Sequence, residues 1–255
     1  MNFKLKDKVV LITGCSRGIG LGIATEFASL GATLVLTEIK ERFEELTKVK
    51  KQLEEKFQVD IEILCLDIKD IKDIRKKLGE LKEPFNKIDI LVNNAGINII
   101  KDSLELLEDE WDQVLDVNLK GTFFMTQHVV KSMIVNNING SIINIASQHG
   151  VIGNLNRAAY CSSKAGIINL TRALSYEWAK YGVRINCISP TYVETDNNRE
   201  YLNSSKGKRE YLNKIPIKKY AKPEHIAKAC VFLSDTDSEL ITGQNIIIDG
   251  GYTSI

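Results

Sequence analysis

The sequence predicts a doubly wound α/β fold, in which one parallel sheet of about seven strands carries helices on both faces. Three observations carry this expectation. Short β-branched runs recur seven times, helical patterns lie between them, and most of the runs are near-continuously apolar. Continuously apolar strands are those buried on both faces, and alternating β and α segments call for crossover helices over a parallel sheet.

The strand candidates, in order, are VVLIT at 9–13, TLVLT at 33–37, IEILCL at 61–66, IDILVN at 88–93, SIINIA at 141–146, RINCIS at 184–189 and NIIID at 245–249. The first helix candidate runs from Ile19 to Leu30, opening after glycines and stopping at Gly31, a good C-terminal signal. The second, Lys40 to Phe57, is highly charged but spaces Phe43, Leu46, Val49, Leu53 and Phe57 as one buried helical stripe. From Pro190 to Lys222 the strand pattern lapses. A segment of that length inside a compact domain is usually a functional lid or carries small helices of its own. The expectation is one domain over 1–255 with a substrate lid around 190–222.

Composition excludes several classes. Lys and Arg number 34 against 33 Asp and Glu, a net charge of +1. No bulk field then attracts nucleic acid or an anionic membrane, and the expected partner is a small molecule. The opening MNFKLKDKVV lacks the apolar stretch of a signal peptide, and no run approaches the ~18 apolar residues of a membrane span. Cys15, Cys65, Cys161, Cys187 and Cys230 are widely spaced, odd in number and form no CxxC pair. A disulfide framework or zinc site is not expected, and a cytoplasmic protein is.

TGCSRGIG, Thr13 to Gly20, follows the first strand and opens the first helix. That is the setting of a dinucleotide site: glycines let the backbone approach a pyrophosphate, and the helix N-terminus offers free N–H groups and a positive dipole end. The spacing is Gly-x3-Gly-x-Gly, and a tight turn without a ligand is the competing reading. The turn's expected contact residues are Gly14, Ser16, Arg17, Gly18, Ile19 and Gly20. Glu38 ends the second strand, 18 residues after Gly20, where a carboxylate bonds adenosine ribose hydroxyls. Arg17 pulls the other way, toward a 2′-phosphate. The expectation is NAD, with NADP as second choice.

Tyr160 and Lys164 are four apart in a helical segment and share a face. A free tyrosine has a pKa near ~10, too high for a base at neutral pH, and a neighbouring ammonium favours the phenolate. The pair is thus a candidate acid/base, although an interfacial Tyr with a snorkelling Lys has the same spacing. Ser147 ends the strand SIINIA, where ligands bind in open α/β sheets, and its hydroxyl suits a substrate oxygen beside Tyr160.

Together TGCSRGIG, NNAG at Asn93–Gly96, the asparagine of DVNLKGTF, Ser147, YCSSK and the ending ITGQNIIIDGG resemble the short-chain dehydrogenase/reductases. The resemblance runs from about Asp7 to Gly251 and implies a Rossmann-type fold assembled as a homotetramer. It implies Tyr160 as proton donor and acceptor, Ser147 as the hydroxyl that steadies the substrate, and Lys164 as the group that holds the nicotinamide ribose and lowers the tyrosine pKa. Asn118 would help a water relay reach Lys164. Asp67 and Ile68 would meet the adenine, Asn94, Ala95 and Gly96 would lie by the cofactor, and Pro190, Val193 and Thr195 would contact the carboxamide and phosphates. One departure is Thr191, where the family commonly has glycine after the proline. Thr cannot adopt φ > 0 cheaply, so an altered backbone is expected there.

The resulting reading is an NAD(P)-dependent oxidoreductase moving a hydride between nicotinamide and a secondary alcohol or ketone. The alternatives are a 3-oxoacyl thioester reductase using NADPH and a dinucleotide-binding protein without chemistry. Asn118, Ser147, Tyr160 and Lys164 are all present, which favours the enzyme. Gln148, His149, Asn98, Asn154, Asn156 and Arg157 favour a sugar, sugar acid or polyol, unless the asparagines merely make turns. The run from Ser189 to the end is similar to sugar-acid dehydrogenases of the family. His149 is read both as a substrate contact and as a polar loop residue. No metal site is expected, because no His/Asp/Glu cluster accompanies it.

Overall fold

The computed structural model describes residues 5–254. Its strands are β1 (Val9–Thr13), β2 (Thr33–Glu38), β3 (Ile61–Cys65), β4 (Ile90–Asn93), β5 (Ser141–Ile145), β6 (Arg184–Pro190) and β7 (Asn245–Ile248). They form one parallel sheet in the order β3-β2-β1-β4-β5-β6-β7. The helices are α1 (Gly18–Ser29), α2 (Phe43–Phe57), α3 (Ile71–Gly79), α4 (Glu108–Leu115), α5 (Thr122–Val135), α6 (Ala158–Trp178), α7 (Arg199–Asn203), α8 (Ser205–Glu210) and α9 (Pro223–Ser234). None among the described residues is long and apolar enough to cross a membrane.

The strand runs are mainly apolar because each strand feeds two cores. Val10 and Ile12 of β1 pack with Ile23, Phe27, Leu46 and Ile226 on one face, while Val9 and Leu11 pack with Ile74, Val129, Met133 and Leu174 on the other. Alternate residues of a strand point to opposite faces, so a strand between two helical layers is mainly apolar, and a buried polar residue there needs partners, as Asn93 and Asn144 bond each other.

Element ends lie within one or two residues of the sequence expectation, and three places show what sets them. The fourth strand starts at Ile90, because Asp89 turns its carboxylate to the Val9 amide and the Lys8 ammonium, both at 2.9 Å. The charged second helix opens with a 3-10 turn over Lys40–Arg42 and ends at Gln58 in the left-handed conformation (φ 56). Between Pro190 and Lys222 lie α7, α8 and a 3-10 turn, and a parallel bridge from Val193 to Ala221 closes the base of the excursion.

Strand order places β1 between β2 and β4, so the chain reverses its winding direction there. Loops leaving β1 and β4 must part to opposite faces, and they leave a crevice beyond the carboxyl ends of the strands.

Candidate active site

The crevice is a cleft of about 730 Å³, within the range of a cofactor site. Its floor is the glycine turn. Gly14 sits at φ 69, its amide bonded to the Thr37 carbonyl at 2.9 Å. Gly20 passes so close beneath it that a Cβ there would overlap the Gly14 carbonyl oxygen and lie 2.6 Å from Asn94 Nδ2. The turn therefore needs glycine for left-handed backbone at one end and for close approach at the other. Asn94 locks it by donating to the carbonyls of Thr13 and Gly14, each at 2.9 Å, so its side chain serves the turn itself. Arg17 makes no side-chain cap to α1, which leaves the helix's first-turn N–H groups facing the cleft. A pyrophosphate fits this cradle on backbone grounds.

The remaining walls come from strand ends. Glu38 stands at the end of β2, Asp67 and Ile68 follow β3, Asn94, Ala95 and Gly96 follow β4, and Val193 and Thr195 follow β6. Ser16 lies behind the surface, its hydroxyl donating to Glu38 Oε2 at 2.7 Å, and Pro190 is covered within β6. Glu38 also accepts from the Ser16 amide at 3.3 Å and the Ile39 amide at 2.9 Å, and is only 6% exposed. Three donors thus fix this carboxylate in place. Arg17 instead contacts the side chain of Asn197. Thr191 lines the cleft without positive φ, its amide bonded to the Ile248 carbonyl at 3.0 Å.

Beyond Gly96 the four expected catalytic side chains converge. Asn118 lies in a π-helical turn, Asp116–Gly121, between α4 and α5. Such bulges redirect side chains and recur at functional sites. Its Oδ1 accepts from the Ile97 amide at 2.8 Å, and its Nδ2 donates to the Ile97 carbonyl at 2.9 Å and the Ser163 hydroxyl at 3.0 Å. A Cβ on Gly96 would lie 3.1 Å from Asn118 Oδ1 and 3.4 Å from Lys164 Nζ, so one glycine separates both side chains from the cleft. Lys164 donates to the Ile145 carbonyl at 2.8 Å, and burial pushes its pKa down to about 8. Its nitrogen is 5.7 Å from the centre of the Tyr160 ring.

Burial pushes the Tyr160 hydroxyl up, against the pull of the Ser147 hydroxyl beside it and the more distant charge of Arg157. The depression expected from Lys164 is not the governing influence here, because desolvation dominates.

A family model described as enoyl-(acyl carrier protein) reductase matches residues 14–253. The NAD-dependent glycerol dehydrogenase of Listeria innocua is 37% identical over 99% of this chain and 96% of its own length. The 3-oxoacyl-(acyl-carrier-protein) reductase of Thermotoga maritima is 37% identical over 97% and 98%. A crystal structure from Agrobacterium tumefaciens, assigned as a 2-deoxy-D-gluconate 3-dehydrogenase with bound NADP, superimposes with a TM-score of 0.89 at 33% identity, covering 100% and 99% of the two chains. The chain belongs to the short-chain dehydrogenase/reductase family. It is an NAD(P)-dependent oxidoreductase.

On the side of this dehydrogenase opposite the glycine turn, Ser147 follows β5 and accepts from the His149 amide at 3.1 Å. The His149 ring stands edge-on to Tyr160, with centroids 6.4 Å apart, and edge-on to Tyr192 at 5.7 Å. Asn154 accepts from the Leu155 amide through Oδ1 at 2.9 Å, which turns its Nδ2 toward His149 Nε2 at 3.0 Å and the Tyr192 hydroxyl at 3.3 Å. His149 Nε2 is then an acceptor, and the ring proton belongs on Nδ1. Burial first, then the charge of Arg157, pushes the His149 pKa down to about 4. Of the two readings of His149, the geometry brings it beside Tyr160. Asn156 instead serves a turn, with φ 60 and its carbonyl accepting from Lys101.

Sequence reasoning missed the aromatic wall. Tyr192 stacks on Tyr211 with centroids 4.1 Å apart and meets Tyr252 at 6.2 Å. Tyr192 follows β6 by two residues, so its strand-end position was a usable signal. Tyr211 and Tyr252 reach it only through tertiary folding of the 190–222 segment and the tail.

Proposed function

We propose that this enzyme interconverts a secondary alcohol and a ketone on a polyhydroxy substrate (a sugar, sugar acid or polyol), with Tyr160 as its acid/base. The observation that carries this reading is the convergence of Ser147, Tyr160 and Lys164 at the end of β5, one glycine away from a dinucleotide-shaped cleft. When bound, the nicotinamide supplies the hydride acceptor or donor at the reacting carbon. Tyr160 removes the hydroxyl proton in oxidation and returns it in reduction. Ser147 holds the same oxygen by hydrogen bonding. Lys164, buried and tied to Ile145, holds the nicotinamide ribose and supplies positive charge beside the phenol. Asn118 positions this wall through Ile97 and helps a water relay reach Lys164.

Gly14, Arg17, Gly18, Ile19 and Gly20 receive the diphosphate, with Ser16 holding Glu38 behind them. Glu38 receives the adenosine ribose, Asp67 and Ile68 the adenine, Asn94, Ala95 and Gly96 the middle of the cofactor, and Pro190, Val193 and Thr195 the nicotinamide end. The clamped Glu38 favours NAD over NADP, the cofactor of the Agrobacterium structure. His149 and Tyr192 face the substrate, and the 190–222 segment covers it within a single catalytic domain. We take the working form to be a cytoplasmic homotetramer.

The Thermotoga relative supports a second reading, reduction of 3-oxoacyl thioesters. A steady-state screen of polyols, sugars, sugar acids and acyl thioesters with both cofactors decides between them. Turnover confined to acyl thioesters removes the polyhydroxy reading.

A further inference from the structure

Among the described residues three buried side-chain oxygens have no hydrogen-bond partner: Asn86 Oδ1, Gln148 Oε1 and Thr191 Oγ1. A buried polar atom left unbonded is costly, so each calls for a reason. Thr191 alone of the three lines the dinucleotide cleft. It is the first residue after β6 and only 8% exposed, and its amide is committed to the Ile248 carbonyl at 3.0 Å. The main chain is therefore fixed, and the hydroxyl is the one uncommitted group. Turning about χ1 between staggered wells exchanges the places of its oxygen and methyl group and breaks no hydrogen bond.

Two residues on, Val193 lines the same cleft. Its bridge to Ala221 uses the Tyr192 carbonyl at 3.1 Å and the Glu194 amide at 2.8 Å, which leaves the Val193 amide without a partner among the described residues. The Val193 carbonyl already accepts from Asn198 Nδ2 at 2.9 Å. This end of the cleft thus offers a free main-chain N–H and an uncommitted hydroxyl oxygen. A primary carboxamide presents the complement, an oxygen that accepts and a nitrogen that donates. We propose that Thr191 is a positioning residue for the nicotinamide: its hydroxyl oxygen accepts from the carboxamide N–H, while the Val193 amide donates to the carboxamide oxygen. Held at both atoms, the carboxamide fixes which face of the ring meets the substrate at Tyr160. The glycine that the family commonly has here would supply no such hydroxyl. The inference rests on the placement of the nicotinamide end along Pro190–Thr195. A buried water shared with Gln148 is the competing occupant, because continuing the β5–β6 register from Ile145 and Ile188 sets Gln148 level with Thr191.

Fluorescence titration with NADH and NADPH reads binding without turnover. Thr191→Val keeps the shape and removes the hydroxyl. Its Kd for whichever dinucleotide wild type binds more tightly should rise about twofold to tenfold, the usual contribution of one neutral hydrogen bond. The 3-acetylpyridine analogue of that dinucleotide carries a methyl group in place of the carboxamide nitrogen, so the same substitution should leave its Kd unchanged. Thr191→Ser keeps the hydroxyl and should bind the natural dinucleotide as wild type does. Ligand-free Thr191→Val should melt at or above the wild-type temperature, because an apolar group has replaced an unbonded hydroxyl. An unchanged Kd for the natural dinucleotide in Thr191→Val, or an equal loss for it and the analogue, overturns the proposal and leaves the dehydrogenase reading intact. So does a lower melting temperature of the ligand-free valine variant, or its failure to fold, which would assign the hydroxyl to the shared water. No binding of either dinucleotide by wild type overturns both readings.

Discussion

The ammonium of Lys164 lies 5.7 Å from the centre of the Tyr160 ring, held there by its bond to the Ile145 carbonyl. Both side chains come from one face of α6, and β5 supplies the anchor and, two residues on, Ser147. Tyr160→Phe keeps the ring and removes the proton carrier. Turnover should fall by ~10²–10⁴-fold, while dinucleotide affinity measured by fluorescence stays close to wild type. Oxidation needs the phenolate, so its kcat/KM should rise with pH. Reduction needs the phenol, so its rate should fall where oxidation gains. Because burial pushes Tyr160 upward, the oxidation limb should extend into alkaline solution. Wild-type turnover by purified, folded Tyr160→Phe enzyme would remove Tyr160 from its role.

His149 gives a separate pH signature. Its folded pKa is pushed down to about 4 from an ordinary 6.5. Below 6.5 the unfolded chain takes up a proton that the folded protein resists, so the contribution to stability is present above 6.5 and is lost as pH falls toward 4. His149→Gln should flatten this part of the melting-temperature profile and raise KM for polyhydroxy substrates. Identical slopes for variant and wild type between those two pH values would contradict a neutral, buried His149.

The fold was legible because its signals are local. Each apolar run marks a strand, and the glycine turn after β1 and the Tyr160–Lys164 spacing are both read within a few residues. Glu38 was legible as a strand-end carboxylate, but its clamp by Ser16 joins residues 22 apart in sequence through the β1–β2 contact. Asn118 was legible only as part of a family pattern, since no local rule announces a π-helical turn at Asp116–Gly121. Of the Tyr192–Tyr211–Tyr252 wall only Tyr192 carried a signal, its place after a strand end, because packing alone joins the three segments.

Gly20→Ala tests the glycine cradle. The added methyl would meet the Gly14 carbonyl and Asn94 Nδ2, neither of which can move without loosening the turn. Overpacking of this kind costs roughly 1–3 kcal/mol. The variant should melt lower and lose dinucleotide binding, read by calorimetry and fluorescence titration. Unchanged melting and affinity would mean that the backbone is not close-packed at Gly20.

Assembly is tested by mass. Trp111 on α4, Val135 on α5 and Tyr176 on α6 are exposed apolar or aromatic side chains on the elements that carry Asn118 and Tyr160. A homotetramer covers such surface. Light scattering at micromolar concentration should report four chains, and a monomer mass would end the proposal.

Cofactor choice turns on Glu38. A 2′-phosphate carries about −1.5 to −2 charges at neutral pH. Each like-charge pair ~4 Å apart costs roughly 4 kcal/mol at an effective dielectric near 20, and solvent relaxation brings this to ~1–3 kcal/mol, or about tenfold to a hundredfold in affinity. Relaxation by swinging the carboxylate away is blocked, because the Ser16 hydroxyl, the Ser16 amide and the Ile39 amide hold both oxygens. Arg17 has the opposite freedom: it rests against Asn197 and can turn toward a phosphate when one is present. Glu38→Ser should therefore weaken NAD and improve NADP, with Arg17 as the phosphate's partner and the Ser16 hydroxyl released. The measurement is kcat/KM with each cofactor before and after the change. A wild-type preference for NADP of about tenfold or more, against the ~1–3 kcal/mol expected here, would mean that the Glu38 carboxylate does not face the ribose.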